Sequence, residues 1–231
     1  FFTYGPMGKV LKNNVENAIR STFKNHEMWE VECPTVMPAI VWEASGHLGG
    51  FTDKVIQCSK CNAYFRVDKL VEENFPDEQV APKDQIDFLK KKDFKCTSCN
   101  SDFTWEVKEH NLMMKTEVGF GQEAYIRPET ATTTYLPFIR YLKFFRNKLP
   151  FGVFQIGKAY RNELSPRQNV LRGREFTQAE AQIFLLEEQK KDFEPFEKVK
   201  ETILPFFASN SKEIENISIE QALEKKYLQT K

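Results

Sequence analysis

Apolar residues in the first part of the chain recur at the period of an α-helix. One stripe is formed by residues spaced four apart, namely Leu11, Val15, Ile19 and Phe23. Such spacing places side chains on one face of a helix and leaves the other faces polar. Pro6 fits the first turn, where its missing N–H has no intrahelical partner to lose. The pattern predicts a long amphipathic helix near the N-terminal end.

Two later segments alternate with period two, which is typical of β-strands. They read FGVFQIGKAYRNE, residues 151–163, and REFTQAEAQIFLLE, residues 174–187. Their polar faces carry Gln155, Gly157, Arg161 and Glu163 in the first strand and Phe176, Gln178, Glu180 and Gln182 in the second. An ordinary solvated antiparallel sheet would show the same alternation. The small Gly157, however, leaves room for a ligand on the polar face.

The other segments give weaker patterns. Short extended pieces broken by Pro34 and Pro38 follow the N-terminal helix. Residues 123–149 are predicted to form a strand followed by one helix, and the charged tail from residue 190 is predicted to be helical in pieces.

Four of the five cysteines fall into two C-x-x-C pairs, CSKC and CTSC. Each such turn directs two thiolates to one centre, and two turns complete the tetrahedral sulfur site that zinc prefers. The predicted ligands are Cys58, Cys61, Cys96 and Cys99, with a polar segment inserted between the pairs. Two disulfides or a thioredoxin-like redox motif are the alternatives, but a reducing cytosol favours zinc. Cys33 is predicted to be a small core residue.

The net charge of the chain is zero and therefore predicts no general anion-binding surface. Lys and Arg together number 33, as do Asp and Glu, so any site for phosphate or nucleic acid must be local. No apolar run approaches the roughly 18 residues of a membrane span, and the first residues lack the order of a signal peptide. We therefore expect a cytoplasmic protein with no membrane partner, whose true N-terminus lies upstream of Phe1.

Arginines are concentrated between the two predicted strands, in YRNELSPRQNVLRGREF, residues 160–176. Arginine binds phosphate oxygens through paired N–H donors, and an aromatic ring such as that of Phe176 can stack on a base. The segment therefore favours a site for a nucleoside triphosphate. The alternative is an exposed cross-strand ion pair between Arg161 and Glu163.

These residues resemble a known family. YRNE followed by RGREF is similar to the second signature motif of class II aminoacyl-tRNA synthetases, and ASGHLGGFTD, IRPETA and REFTQAEAQIF resemble glycyl-tRNA synthetases of the archaeal and eukaryotic type. The resemblance implies an α+β fold, with a class II antiparallel sheet flanked by helices and an inserted zinc-binding module. It implies a catalytic domain in residues 1–54 and 106–231, and a zinc-binding insert in residues 55–105.

The resemblance also implies an ATP site. Arg161 would be the catalytic residue, which binds the α-phosphate and the charge that develops during transfer. Glu163 would bind the adenine amino group, and Phe176 would stack on the adenine ring. The same ATP-binding set would include Asn162, Leu171 and Arg172.

The substrate-binding residues implied by the resemblance are Arg66, Glu129, Phe176, Gln178 and Glu180. Carboxylates suit the ammonium group of glycine, and larger amino acids must be excluded by crowding, because one methyl group changes binding by only about 1–3 kcal/mol. Without the resemblance, Glu129 would be a carboxylate at a helix N-terminus and Arg66 a solvated side chain. The segment RPETATTTYL departs from the RPETAQG form of the family after Ala131.

The implied function is ATP-dependent activation of glycine and its transfer to tRNA(Gly), with Mg²⁺ bound to ATP and a structural Zn²⁺. A homodimer through the N-terminal helix is also implied. The sequence contains no third motif of the Gly-x-Gly-x-x-Arg kind, so activity is expected to need the C-terminal half of a synthetase, in cis or in trans. The alternative is a non-catalytic, zinc-bearing RNA-binding or regulatory paralogue. The joint presence of Arg161, Glu163 and Phe176 favours the enzyme.

Overall fold

The computed structural model describes residues 2–164, 166, 171–191, 195–208 and 213–228. Its helices are α1 (Pro6–Asn25), α2 (Ala39–Ala44), α3 (His47–Gly50), α4 (Val67–Asn74), α5 (Gln85–Lys91), α6 (Ala131–Tyr135), α7 (Phe138–Phe144), α8 (Glu187–Lys191), α9 (Phe196–Val199) and α10 (Ile219–Glu224). Its strands are β1 (Trp29–Glu30), β2 (Val36–Pro38), β3 (Thr52–Gln57), β4 (Tyr64–Arg66), β5 (Lys108–Asn111), β6 (Met114–Val118), β7 (Gln122–Ile126), β8 (Phe151–Tyr160), β9 (Glu175–Phe184), β10 (Ile203–Phe206) and β11 (Glu215–Ser218). Within these ranges no helix has the length and apolar character needed to cross a membrane.

The sheet that contains both strands predicted by alternation has the order β1–β8–β9. β8 and β9 pair antiparallel from Phe151 opposite Phe184 to Tyr160 opposite Glu175, which confirms the two predicted strands. β1 lies parallel to β8 and was not predicted as its neighbour. The long β8–β9 hairpin supports the polar face described below.

The predicted N-terminal helix is confirmed as α1, which begins at Pro6. Near its C-terminal end, Phe23 packs on Phe154 of β8 with ring centroids 5.0 Å apart. Phe154 is fully buried, so this end of the helix covers the apolar face of the hairpin. Nearer the N-terminal end the stripe is open to solvent, since Leu11 is 65% exposed. The stripe therefore contributes to the chain's own core only at one end.

An aromatic cluster joins α7 to the start of the hairpin. Its members are Phe138, Phe145, Phe151 and Phe184, and the rings of Phe145 and Phe151 stack with centroids 4.4 Å apart. The single helix predicted in this region is wrong, because α6 and α7 are separate. Pro137 lies at the N-cap of α7. Proline cannot donate the backbone hydrogen bond that a continuous helix needs there, which explains the break.

A second sheet, β4–β3–β5, frames the segment that carries the paired cysteines. β3 and β5 pair antiparallel, with Thr52 opposite Asn111, so the segment leaves and returns at neighbouring positions. α4 and α5 lie between the two cysteine pairs, in agreement with an inserted segment. The segment has its own buried core, which includes Ile56, Phe65, Val67, Leu70, Val71 and Leu89.

Two further antiparallel sheets complete the described structure. In the sheet β2–β7–β6, β7 leads directly into residues 127–130, which border the candidate site. The tail contains the short helices α8, α9 and α10, but it also contains the pair β10–β11, which was not predicted. β10 is short and includes Pro205, a residue that strand patterns tolerate only at edges. Both strands of the pair have only four residues, which is too short for a clear alternation.

Candidate active site

The polar face of the β8–β9 hairpin forms the floor of the candidate site. Directly opposed residues point to the same face, and the opposed pairs here are Gln155–Glu180, Gly157–Gln178 and Ala159–Phe176. The register therefore brings three of the predicted site residues, Phe176, Gln178 and Glu180, to one surface. Gly157 is required at its place because a Cβ there would overlap Nη2 of Arg127. The expectation that Gly157 leaves room for a ligand is therefore wrong, because the guanidinium of Arg127 fills that space.

Arg161 lies just beyond β8 and is fixed from several sides. Its backbone N–H donates to the carbonyl of Arg174 at 3.0 Å, and its Nε donates to the carbonyl of Pro128 at 3.2 Å. The guanidinium lies 5.2 Å from the ring centroid of Phe51 and 5.3 Å from that of Phe176. Aromatic faces attract a cation at this range. The arrangement holds a positive charge at the edge of the floor.

Glu163 is buried, with 8% of its surface exposed. Its Oε2 lies 3.6 Å from Nη1 of Arg66 and 3.6 Å from Nη1 of Arg172. The exposed Arg161–Glu163 pair that served as the alternative is therefore not the arrangement found. Buried carboxylates are stable as anions only when cations or donors compensate for lost water. Here Arg66 and Arg172 provide that compensation.

Arg66 is not a solvated side chain. Its Nε and Nη2 donate to Oδ1 and Oδ2 of Asp68 at 3.1 and 2.6 Å, and its Nη1 lies 2.9 Å from Oδ2 of Asp53. Burial raises the pKa of Asp53. Burial also pushes the pKa of Asp68 upward, but the hydrogen bonds and charge of Arg66 outweigh it and the pKa of Asp68 lies below its usual value. Arg66 thus links the cysteine-bearing segment, through β4, to Glu163.

Asn162 and Leu171 differ in how the structure places them. The backbone N–H of Asn162 donates to the carbonyl of Leu112 at 2.8 Å, and its carbonyl lies 2.5 Å from Nε2 of His110. Asn162 is therefore held beside Arg161 and Glu163 through its backbone. Leu171, in contrast, is 87% exposed and does not join the packed group of site residues.

Glu129 follows Pro128 and precedes α6. Its Oε1 accepts hydrogen bonds from the backbone N–H of Thr132 at 3.3 Å and from Thr132 Oγ1 at 2.8 Å. The same oxygen lies 3.5 Å from Nε2 of His47, whose Nδ1 is 2.8 Å from Ser45 Oγ. The expectation of a carboxylate at a helix N-terminus is thus confirmed, and it is compatible with a binding role. His47 was not assigned to the site from the sequence.

Glu180 is connected to the Glu129 region by Thr130, the residue that follows Glu129 in the sequence. Thr130 Oγ1 donates to Oε2 of Glu180 at 2.7 Å, and Gln182 Nε2 lies 3.4 Å from Oε1 of Glu180. The backbone N–H of Thr130 donates to Oε1 of Gln178 at 3.2 Å. The predicted residues Glu129, Gln178 and Glu180 are therefore brought together at one end of the floor.

A buried polar network supports this end of the floor from beneath. Arg127 is 3% exposed, and its Nη1 donates to Cys33 O at 2.9 Å and to Gln155 Oε1 at 3.0 Å. Gln155 Nε2 in turn donates to Thr130 O at 3.0 Å. Burial lowers the pKa of Arg127. The network ties β8 to the turn that carries Glu129, and its members satisfy one another's hydrogen bonds, which buried polar groups require.

The four paired cysteines meet in the inserted segment. The Sγ atoms of Cys58, Cys61, Cys96 and Cys99 all lie within 4.8 Å of one another, and all four thiols are free. Cys58 Sγ is 3.4 Å from Cys99 Sγ, and Cys61 Sγ is 3.7 Å from Cys96 Sγ. A tetrahedral metal with bonds to sulfur of ~2.3 Å separates its ligands by about 3.8 Å. The donor set therefore fits such a metal, whereas a disulfide needs sulfurs about 2.05 Å apart.

Comparison with known sequences places this geometry in context. Residues 114–227 match the family described as tRNA synthetase class II core domain (G, H, P, S and T). The chain is 45% identical over 228 residues to a glycine–tRNA ligase of Methanococcus maripaludis strain C5, with 96% of this chain and 40% of that protein covered. Corresponding values for a glycine–tRNA ligase of Methanocaldococcus jannaschii are 44%, 94% and 38%. The enzyme of that name from Thermococcus kodakarensis gives 41%, 99% and 41%. The chain thus spans about 40% of the length of these relatives.

A solved structure shares the fold. The RNA binding domain of threonyl-tRNA synthetase from Cryptosporidium parvum Iowa II superposes with a TM-score of 0.51 at 18% sequence identity. The superposition covers 97% of this chain and 46% of the other. At this level of identity the likeness concerns the fold, an arrangement of antiparallel sheets and helices.

Proposed function

Since this chain belongs to the class II aminoacyl-tRNA synthetases and is related over nearly its whole length to archaeal glycine–tRNA ligases, we propose that it carries part of the site that activates glycine with ATP. The observation that supports this most is that neighbouring threonines fix the two carboxylates, Thr132 holding Glu129 and Thr130 holding Glu180. The fixed guanidinium of Arg161 lies beside them, on the carbonyl of Pro128. Two carboxylates and one cation match the two charged ends of an amino acid and the phosphate that reacts with it.

The proposed reaction has two steps. An oxygen of the glycine carboxylate attacks the α-phosphorus of ATP, the bond to the bridging oxygen of the β-phosphate breaks, and pyrophosphate leaves with its electron pair. A hydroxyl of the tRNA 3′-terminal adenosine then attacks the glycyl carbonyl, and AMP leaves. Mg²⁺ bound with ATP would neutralise phosphate charge. The protein groups need only position the reactants and stabilise developing charge, which can account for a large share of such catalysis.

Arg161 is the residue we propose to be catalytic. Its guanidinium would bind the α-phosphate and the negative charge that accumulates as the carboxylate attacks. A donor that is fixed before the reaction stabilises that charge without reorganising. The contacts with Phe51, Phe176 and the carbonyl of Pro128 supply this fixation.

The ATP base would lie on the Glu163 side of Arg161. We propose that Glu163 binds the adenine amino group and that Phe176 stacks on the ring. The remaining ATP-binding residues in this proposal are Asn162, Leu171 and Arg172. The buried position of Glu163, close to two arginines, supports a carboxylate fixed in place to accept a hydrogen bond.

The glycine pocket would occupy the opposite end of the floor. The ammonium group would be bound by Glu129 and Glu180, with Gln178 and Phe176 beside it. Arg66, which the resemblance also assigns to the substrate, lies at the ATP end, 3.6 Å from Glu163, so its proposed contact would be with the part of the substrates next to Glu163. A cationic amine requires anionic or neutral acceptors, and the carboxylates of Glu129 and Glu180 provide them.

We propose that Cys58, Cys61, Cys96 and Cys99 hold a structural Zn²⁺. Four thiolates leave no position open for water, so the ion would stabilise the fold and take no part in the reaction. The zinc-binding insert would span residues 55–105, and residues 1–54 and 106–231 would belong to the catalytic domain. The free thiols and their spacing support the metal site.

We further propose a cytoplasmic homodimer that uses glycine, ATP and tRNA(Gly). The exposed part of the α1 stripe, which includes Leu11, supports an interface with a second copy. The curated relatives are more than twice as long as this chain. We therefore expect full activity only together with the C-terminal remainder of the synthetase, in cis or in trans.

The deciding experiment is glycine-dependent exchange of labelled pyrophosphate into ATP. It should be run with the chain alone, with the C-terminal remainder alone and with both together or joined. Exchange in the combined sample that requires glycine, and not alanine or serine, is the expected result. Absence of exchange in the combined sample would contradict the enzyme proposal and favour a non-catalytic RNA-binding or regulatory paralogue.

A further inference from the structure

We propose that Thr132 is a positioning residue, which fixes one oxygen of Glu129 so that the other points to the amine of the substrate. This inference rests on the proposed function and deepens it. Thr132 is the second residue of α6, and its hydroxyl donates to Glu129.

The contacts of Glu129 are asymmetric. Its Oε1 accepts from the backbone N–H of Thr132 at 3.3 Å and from Thr132 Oγ1 at 2.8 Å, and it lies 3.5 Å from His47 Nε2. Every polar contact found for the Glu129 carboxylate within the described part of the chain involves Oε1. The side chain of Glu129 is 28% exposed. Oε2 therefore remains as the oxygen that can accept a hydrogen bond from a ligand.

Thr132 is well placed to set this orientation. A glutamate side chain has three rotatable bonds, and freezing them on binding costs free energy. A carboxylate held in advance avoids that cost at the moment of binding. The hydrogen bond from Thr132 Oγ1 is the shorter of the two from this residue, and the hydroxyl is half-buried, where water competes less with it. Glycine has no side chain to contact, so its amine contacts carry much of its recognition.

Glu180, the second carboxylate of the proposed glycine site, is also held by a threonine hydroxyl. Thr130 Oγ1 donates to Oε2 of Glu180 at 2.7 Å. Thr130 is fully buried and its carbonyl accepts from Gln155, so its replacement would disturb the fold as well as the site. Thr132 is less buried and is the residue in which positioning can be separated from folding.

A structural role must be distinguished from positioning, because the same contacts cap the N-terminus of α6. The backbone N–H of Thr132 contributes to the cap whatever the side chain. Thr132→Val keeps this donor and the branched shape, and it removes only the hydroxyl. Thr132→Ser restores the hydroxyl without the methyl group. A cap alone predicts a change in stability, whereas positioning predicts a change in the KM for glycine.

The test uses the chain together with its C-terminal remainder, in the pyrophosphate exchange assay. Thr132→Val should raise the KM for glycine roughly 10-fold, as loss of a hydrogen bond to a charged group does, and leave the KM for ATP within about twofold. Thr132→Ser should have KM values for glycine and ATP close to those of the wild type. Thr22→Val is the matched control, because the Thr22 hydroxyl donates only to the carbonyl of Ala18 on α1. It should not change either KM.

The outcomes separate this inference from the proposed function. No glycine-dependent exchange in the wild type would overturn the proposed function and this role with it. Exchange in the wild type with an unchanged KM in Thr132→Val, an equal defect in Thr132→Ser, or an equal rise in both KM values would overturn the positioning role alone. If Thr132→Val does not fold by circular dichroism, Thr132→Ala provides the same comparison.

Discussion

Gly157 of β8 and Arg127 lie in direct apposition beneath the floor of the site. A Cβ on Gly157 would overlap Nη2 of Arg127. Arg127 cannot easily withdraw, because it is 3% exposed and its guanidinium donates to Cys33 O, Lys158 O and Gln155 Oε1. The absence of a side chain at residue 157 is thus a packing requirement of the buried arginine, and the space beside Gly157 is not open to a ligand.

Gly157→Ala should therefore destabilise the protein. Overpacking of a filled interior costs about 1–3 kcal/mol, and here it would also strain a hydrogen-bonded network. Urea unfolding followed by circular dichroism measures the change. Gly49→Ala is the matched control, because a Cβ at Gly49 meets nothing within 4 Å. Equal stability of Gly157→Ala and the wild type would contradict this account of the floor.

Arg161 and Glu180 should give different kinetic defects in the combined enzyme. Arg161→Ala should lower the rate of adenylate formation by about 100-fold or more, because its charge matters most as negative charge develops. Glu180→Ala should mainly raise the KM for glycine. Pyrophosphate exchange at varied glycine and ATP concentrations distinguishes the two. Glu175→Ala, on the same strand but in an exposed pair with Lys158, should change neither. Identical defects in both variants would refute the assigned roles.

The cysteine cluster predicts about one tightly bound zinc per chain. Cys96→Ser should lose the metal and unfold the core of the inserted segment, because metal binding and folding are coupled in such sites. Elemental analysis and hydrogen exchange of residues 52–111 measure these two effects. Cys33→Ser should keep its zinc, since Cys33 lies outside the cluster, beside Tyr141. A full zinc content in Cys96→Ser, or a disulfide in the purified wild type, would exclude the proposed site.

The Arg66–Asp68 pair predicts a pH-dependent contribution to stability. Burial opposes ionisation of Asp68, but Arg66 outweighs it and the pKa of Asp68 lies below its usual value. A carboxylate of this kind stabilises the fold above its unfolded pKa of about 3.9 and loses that contribution as the pH falls through its folded pKa. Asp68→Asn should be less stable than the wild type near pH 7, and the difference should shrink below pH ~4. Denaturant unfolding at several pH values tests this, with exposed Asp102→Asn as the control. A constant difference at all pH values would contradict the prediction.

The sequence predicted the parts of the fold that depend on local patterns. The stripe of α1, the alternation of β8 and β9 and the two C-x-x-C pairs each have a short repeat with a direct physical meaning, and the structure contains all three. The break at Pro137 was missed although proline is a strong signal, because the apolar spacing continues across it. The parallel contact of β1 with β8 joins residues far apart in sequence, which no local pattern reveals. β10 and β11 are near each other in sequence, but each has only four residues, too few for a clear alternation.

The residues of the candidate site also fall into those that the sequence predicted and those that only the structure revealed. Strand alternation predicted that Gln178 and Glu180 share the polar face, and the cluster of arginines predicted a site for a triphosphate beside it. The individual roles of these residues, like those of Arg161 and Glu163, were implied by the family resemblance. His47 and Asp53 were not assigned to the site from the sequence, because a single histidine or aspartate carries no pattern. Their contacts with Glu129 and Arg66 arise only when α3, β3 and β4 fold against the site.

Thr52 and Asn111 face each other where the cysteine-bearing segment leaves the rest of the chain and returns. For a loop whose ends meet at one strand pair, each doubling of length costs only about 0.6 kcal/mol of closure entropy. Evolution can therefore lengthen or shorten the stretch between β4 and β5 at little entropic cost, provided that Arg66 at the end of β4 keeps its place beside Glu163. Phe51, just before that strand pair, would retain its place against Arg161 through such changes.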